Sequence, residues 1–390
     1  MAAIRGEGTE ASPWRVGMVA GEASGDLLAG LLLSGLRAQG LCVDAHGVGG
    51  EHMKAQGFTA WLGSDALSVR GYVEVLRHYR RLTALRDQLT QRWLAQRPDV
   101  FVGVDAPDFN LELARRLKAQ GVKTVHFVCP SIWAWRAERV HAIKAAVDHV
   151  LCIFPFEPAL LKAHGIAATF VGHPLAEHAP WRPDAAAARA RLALSPEATS
   201  VVALLPGSRA AEVKFLLPAF LQAAQLIAQR RPGTVFVLPA VPALRDAIDA
   251  LVGQWGKGLA LSVVTGDSRT CMACADVVLV ASGTATLEVA LAKRPMVIAY
   301  RMPRLSWWLH QRKRLQPWVG LPNILSERFV VPELLQEQAT PEALARETMA
   351  WLDQPERTAQ AVEAFDAMHL ALRADTERVA AQVMNEVLHG

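Results

Sequence analysis

The chain of 390 residues has no run of eighteen apolar residues, so no segment reads as a membrane-spanning helix. Cysteine is scarce: Cys42, Cys129, Cys152, Cys271 and Cys274 make five. An odd number at irregular spacing argues against a disulfide framework and fits a reducing cytoplasm. Cys271-Met272-Ala273-Cys274 has CxxC spacing but no second pair to complete a zinc site. The segment reads as a short helix packed before a strand, with a redox motif or half a zinc site as the alternative. Neither sign of charge dominates, with 41 basic and 37 acidic side chains and a net charge of +4. Such a balance alone implies neither nucleic acid nor membrane. Glycine and proline are scattered, so no long disordered region is expected. There is no Asp-x-Asp to hold a pyrophosphate through metal and no GxxxxGK[ST] phosphate loop.

What is present is apolar residue, 52% of the chain, enough for the cores of two α/β domains. Short apolar runs alternate with amphipathic ones. Residues 15–20, 42–48, 99–104, 123–128, 147–153 and 168–171 read as strands, with helices over 25–39, 82–96 and 111–120. The pattern restarts with strands over 201–205, 234–238, 260–264, 277–280 and 296–300 and helices over 211–229 and 284–291. This alternation implies two doubly wound parallel sheets, each covered on both faces. The expected divisions are a loose extension over 1–14, a first domain over 15–178 and a proline-rich linker over 179–200. A second domain follows over 201–354, then C-terminal helices over 355–390, some of which could return to the first domain. In such folds a ligand lies at the carboxyl ends of the strands, here in the cleft that two such domains face.

The turns after the strands carry the unusual residues. Ala281 leads into Ser282-Gly283-Thr284-Ala285-Thr286-Leu287-Glu288, a strand, a small-residue turn and a helix start. Free N–H groups there suit a pyrophosphate, and Glu288 one turn later suits ribose hydroxyls. An ordinary capped helix is the competing reading. Leu205-Pro206-Gly207-Ser208-Arg209 is a second anion-binding turn, with a guanidinium beside a helix start. Asn323 adds an amide suited to a base or ribose edge. In the first half, Gly21-Glu22-Ala23-Ser24-Gly25-Asp26 is not GxGxxG and suits a hydroxyl-rich ligand, or helix capping by Ser24 and Asp26. Asp105-Ala106-Pro107-Asp108 places two carboxylates at a strand end. Asp108 is placed to cap the next helix, so Asp105 is the better candidate for a general base. Trp133 and Trp135 beside Arg136 form an apolar wall suited to sugar or acyl chain. His173 lies at the domain junction. Basic and aromatic residues interleave over 69–81 and 301–314, as in a membrane-surface contact or a solvated helix.

In combination these segments resemble the lipid-A-disaccharide synthase family. The carrying motifs are the turns at 21–26, 105–110, 130–136, 172–175, 205–209, 281–288 and 321–323, with Gly71-Tyr72-Val73-Glu74-Val75-Leu76. The resemblance implies a GT-B fold and an inverting transfer between UDP-2,3-diacylglucosamine and 2,3-diacylglucosamine 1-phosphate. It assigns Asp105 as general base, with Glu22 at the acceptor or sugar. Arg209, Ser208, Ser282, Gly283, Thr284, Glu288 and Asn323 would bind UDP. Trp133, Trp135, Asp108, His173, Tyr72 and Val73 would meet acceptor and lipid. No cofactor, metal or nucleic acid is implied. Peripheral association with the cytoplasmic face of the inner membrane is implied, and a homodimer is admitted. Phe127 and Cys129 depart from the Tyr and Ser frequent in the family. Competing readings are another GT-B enzyme on UDP-N-acetylglucosamine, such as a 2-epimerase or a cell-wall glycosyltransferase, an NAD-linked oxidoreductase, and an inactive nucleotide-sugar binder.

Overall fold

In the computed structural model, residues 12–67, 75–303, 307, 308, 312 and 314–389 are described, those at 75–79 by backbone alone. Tyr72, Val73 and the rest of positions 69–74 in the basic stretch over 69–81 lie outside the described residues, as do seven positions of the stretch over 301–314. The chain forms two compact units. One runs to Glu177 and takes up Leu372 onward; the other is His178–Ala371.

The first unit is built on a parallel sheet of seven strands: β1 (Trp14–Ala20), β2 (Val43–Gly49), β3 (Thr59–Gly63), β4 (Val100–Val104), β5 (Lys123–Phe127), β6 (His149–Cys152) and β7 (Ala167–Phe170). Their spatial order is β3-β2-β1-β4-β5-β6-β7. Side chains alternate between the faces, as the two-residue strand period requires. Val16, Met18 and Ala20 join one core with α1 (Ala23–Ala38) and the C-terminal helix Thr376–His389. Val19 and Phe101 join the other. That second core also takes residues of α3 (Val75–Ala95), α4 (Pro107–Lys118) and α5 (Arg139–Ala146). Three short helices complete the unit: α2 (Glu51–Ala55), α6 (Glu157–Lys162) and the start of α7 (Pro174–His178).

The second unit holds six parallel strands, β8 (Ser200–Leu205), β9 (Thr234–Ala240), β10 (Leu261–Thr265), β11 (Val277–Ala281), β12 (Met296–Tyr300) and β13 (Glu333–Leu335), in the order β10-β9-β8-β11-β12-β13. Among its helices are α8 (Ala185–Arg191), α9 (Ala210–Arg230), α10 (Arg245–Trp255), α11 (Ser268–Cys274) and α12 (Ala285–Leu291). The segment expected as a linker, 179–200, lies wholly within this unit. Arg189 of α8 donates to the Cys274 carbonyl and pairs with Asp276, which fixes α8 beside α11. The C-terminal region is split: Pro355–Leu372 belongs almost wholly to the second unit and Thr376–His389 to the first. By length and composition α9 is apolar enough to cross a membrane, and half of it is buried. Its apolar side chains are core residues: Leu216, Leu217, Phe220, Leu221 and Ile227 are buried completely.

In each sheet the strand order reverses at one point, between β1 and β4 and between β8 and β11. Neighbouring connections there leave on opposite faces, which opens a crevice at the carboxyl ends. Four of the turns with unusual sequences, those at 21–26, 105–110, 205–209 and 281–288, follow these four strands.

Candidate functional site

In the first unit, Glu22 and Asp105 follow β1 and β4. Glu22 is exposed and stands at the N-cap of α1 without a side-chain capping bond. Asp26 has a different task from the one its sequence position suggests. It is buried and accepts from the N–H groups of Gly50 at 2.8 Å, His52 at 2.9 Å and Met53 at 3.2 Å. It therefore caps α2 from the first turn of α1.

Asp105 is half-buried at the end of β4, with a left-handed φ of 51°. Ala106 follows at 42°. Two consecutive non-glycine residues in this region are a costly arrangement that surrounding contacts must impose. Burial raises the Asp105 carboxyl above its ordinary range, with the Ala106 N–H opposing it. A carboxyl so poised suits a general base. Asp108 differs: it is exposed on the first turn of α4 and pairs with Arg139.

The tryptophan pair does not form one wall. Trp133 is buried and donates to Glu157 at 3.0 Å, with its ring edge-on to Phe154 and Phe156. Trp135 is exposed and carries the Arg136 guanidinium 4.3 Å over its ring. Only Trp135 therefore offers a broad face. Glu157 is buried and its carboxyl is pushed up to about 8 by desolvation. His173 is also buried, pushed down to about 4 by desolvation, and accepts from the Leu175 N–H at 3.2 Å. It is a neutral imidazole that caps α7. Phe127 is a fully buried core residue, and Cys129 is buried too, so their departures from the family concern packing.

In the second unit, the turns after β8, β9, β10 and β11 enclose a cavity of about 510 Å³. It is lined by Gly207, Ser208 and Arg209 after β8, by Pro239 to Pro242 at β9, and by Ser282 to Ala285 with Glu288 after β11. The volume is that of a small-molecule site. Gly283 has φ 149°, a conformation that side chains rarely adopt. The Ser282 hydroxyl donates to the Val319 carbonyl at 2.9 Å, and the Thr286 hydroxyl to the Gly283 carbonyl at 2.7 Å. Burial raises the Glu288 carboxyl above its ordinary range, with Arg269 opposing it.

The turn at Arg209 already holds an anion of its own. Glu212 accepts from the Ser208 and Arg209 N–H groups at 3.0 and 3.2 Å and from the Arg209 guanidinium at 3.1 Å. Those N–H groups are therefore engaged, while the Arg209 side chain is 82% exposed and pairs with Glu212. Asn323 is spent inside the fold and does not present its amide to a ligand. Its Nδ2 donates to the Val331 carbonyl and Glu333, and its Oδ1 accepts from the N–H groups of Val330 and Val331. Glu333 in turn accepts from Val319 and Gly320. This network fixes the backbone around Val319, whose carbonyl receives the Ser282 hydroxyl, so Asn323 supports the Ser282 turn at one remove.

Glu157, Glu212 and Glu333 were not legible as site residues. Only Glu212 had a local signal, three positions after Arg209 at a helix start. The CxxC pair packs as expected: Cys271 and Cys274 are buried, with thiols pushed up by desolvation to about 12 and about 11. Among the described residues, no group of three or more metal-ligating side chains occurs.

Residues 16–387 match the family described as Lipid-A-disaccharide synthetase. The lipid-A-disaccharide synthase of Albidiferax ferrireducens is 57% identical over 381 residues, covering 96% of this chain and 98% of that protein. That of Verminephrobacter eiseniae is 54% identical, covering 97% and 98%. Among solved structures, the UDP-GlcNAc 2-epimerase from Neisseria meningitidis bound to UDP-GlcNAc superposes with a TM-score of 0.62 at 11% identity, covering 96% of this chain and 99% of that one. Acinetobacter baumannii MurG gives 0.57 at 14% identity, covering 96% and 99%. At such identities these structures speak for the fold, which is GT-B, and the near-full-length relatives favour the synthase over the 2-epimerase or cell-wall enzyme. Both sheets, the turns that end them and the match over nearly the whole length lead to one assignment: this chain belongs to the lipid-A-disaccharide synthase family of glycosyltransferases.

Proposed function

We propose that the chain transfers 2,3-diacylglucosamine from its UDP conjugate to 2,3-diacylglucosamine 1-phosphate, giving the β-1,6-linked disaccharide 1-phosphate and UDP. The names of the near-full-length relatives support the reaction class. The observation that carries the residue assignment is Asp105, a desolvated carboxyl in a strained turn at the first sheet's reversal point. As general base it takes the proton of the acceptor 6-hydroxyl. That oxygen forms the new bond to the anomeric carbon, and the bond to the β-phosphate oxygen breaks with its electron pair leaving on UDP. Attack from the face opposite the leaving group inverts the anomeric centre.

The leaving diphosphate gains charge as the bond breaks. Arg209, exchanging Glu212 for phosphate, and the Ser282–Thr284 turn supply the counter-charge, with Ser208 beside them. Glu288 accepts from ribose hydroxyls. Glu22 meets the sugar, while Trp135 and Asp108 border the acceptor. The exposed Trp308, with Arg312 3.7 Å over its ring, and the exposed Leu315 and Phe329 support a peripheral contact with an anionic membrane surface. The reading is tested with the two acylated substrates in detergent micelles, following UDP release and disaccharide. Product in amounts equal to UDP is expected. UDP binding without product would remove the synthase reading and leave the nucleotide site.

A further inference from the structure

Asn110 is the fourth residue of α4, has no exposed surface, and has its side chain turned back under the Asp105 turn. Its Nδ2 donates toward three carbonyls: Asp105 at 2.8 Å, Val104 at 3.2 Å and Val19 at 3.4 Å. Those carbonyls belong to the ends of β4 and β1, the two strands that flank the reversal point. The Asp105 N–H donates to the Phe127 carbonyl at 2.9 Å. The peptide groups on both sides of the Asp105 Cα are thus tied down, one through β5 and one through Asn110.

The sheet is hollowed to admit this side chain. A Cβ on Gly103 would lie 2.8 Å from the Asn110 Cβ and 3.2 Å from the His126 ring, so only glycine fits there. The Asn110 Oδ1 has no partner among the described residues, so its amide is committed through the donor side. Asp105 and Ala106 both keep left-handed backbone without being glycine. A conformation of that cost persists where neighbouring bonds over-determine it.

We propose that Asn110 is the positioning residue that holds Asp105 in its left-handed, half-buried conformation and so aims its carboxylate for proton abstraction. The inference rests on the reading of Asp105 as general base. Asn110 itself touches no reacting atom and acts through the backbone of Asp105.

Asn110→Ala and the smaller change Asn110→Ser test it, with melting curves and UDP affinity reporting that the protein is folded. The other groups near the turn are Asp108 and Arg139 at its exposed end, Arg86 from α3, and His126 from β5, which burial pushes down to about 4. The expected result is a kcat lower by about a hundredfold in Asn110→Ala, with KM and UDP affinity within a few-fold of wild type. Asn110→Ser, which keeps one donor, is expected between the two. The acidic limb of kcat also moves to lower pH, because a released Asp105 regains solvent. That shift would not follow from general destabilisation. A folded variant with wild-type kcat, or a reduced kcat with an unmoved acidic limb, overturns the proposal. A second readout stands apart from turnover: the Asp105 carboxyl is titrated by NMR in wild type and Asn110→Ser, with Asp105→Asn identifying the resonance. A titration midpoint that falls in the variant supports positioning even if the wild type proves inactive on the proposed substrates. An identical midpoint in both proteins sinks the positioning role whether or not the transferase reading stands.

Discussion

At the scale of single residues, carboxylates with similar surroundings in the sequence have separated into different tasks. Asp26, Glu212 and Glu333 accept backbone N–H groups at helix starts, whereas Asp105 and Glu288 are desolvated with little compensation. The chemistry is expected from the second group and architecture from the first. For Arg209 the proposed phosphate contact would compete with Glu212, which its guanidinium pairs with in the structure. Arg209→Ala is predicted to weaken UDP binding by about tenfold or more, the value of a charge-assisted bond, read by calorimetry; unchanged affinity would reject the assignment. Glu157 gives a pH-dependent stability. Its folded pKa of about 8 lies above the unfolded value of about 4.3. The fold thus favours the protonated form, and its contribution is lost as pH rises between those two values. The unfolding free energy of wild type relative to Glu157→Gln should therefore decline from pH 5 to pH 8, measured by urea denaturation. A flat difference would show that Glu157 ionises normally in the fold.

At the scale of elements, most buried strands and long helices were legible because their apolar runs are continuous and their ends carry glycine or a capping residue. β3 and β13 were not, since both are short edge strands with half-buried patterns. The break at 373–375 within the C-terminal helices was missed as well, for want of a proline or glycine there. In the candidate site, the turns were legible from their small residues, but the direction of the side chains was not. Trp133 turns inward to Glu157, and Asn323 is consumed by Val330, Val331 and Glu333, because distant backbone donors and acceptors claim them. Gly35 shows the same dependence on distant chain. A Cβ there would stand 2.2 Å from the Glu377 carbonyl oxygen, where α1 meets the C-terminal helix. Gly35→Ala is predicted to destabilise the first unit by about 1–3 kcal/mol through overpacking, seen as a lower urea midpoint; a midpoint equal to wild type would mean that the two helices separate freely.

At the scale of the whole molecule, the chain builds the first unit, then the second, and returns to finish the first. Ala380, Ala381, Met384 and Leu388 of the last helix are part of the first unit's core. A chain ending at Ala371 should therefore show a weakened first unit, with an earlier melting transition and exposed apolar surface binding a hydrophobic dye. An unaltered transition would contradict that packing. The proposed chemistry divides in the same way, with the nucleotide on the second unit and the base on the first. UDP affinity and turnover should then be separable by mutation, and Asp105→Asn separates them most directly. Transfer between the two acylated substrates, measured against pH alongside UDP affinity, is predicted to fall by about a hundredfold or more in this variant, with UDP bound as in wild type. Wild-type activity should rise with pH through the elevated pKa of Asp105, since the base must be ionised. Turnover by Asp105→Asn at the wild-type rate, with the same pH profile, would contradict the assignment of Asp105 as the base.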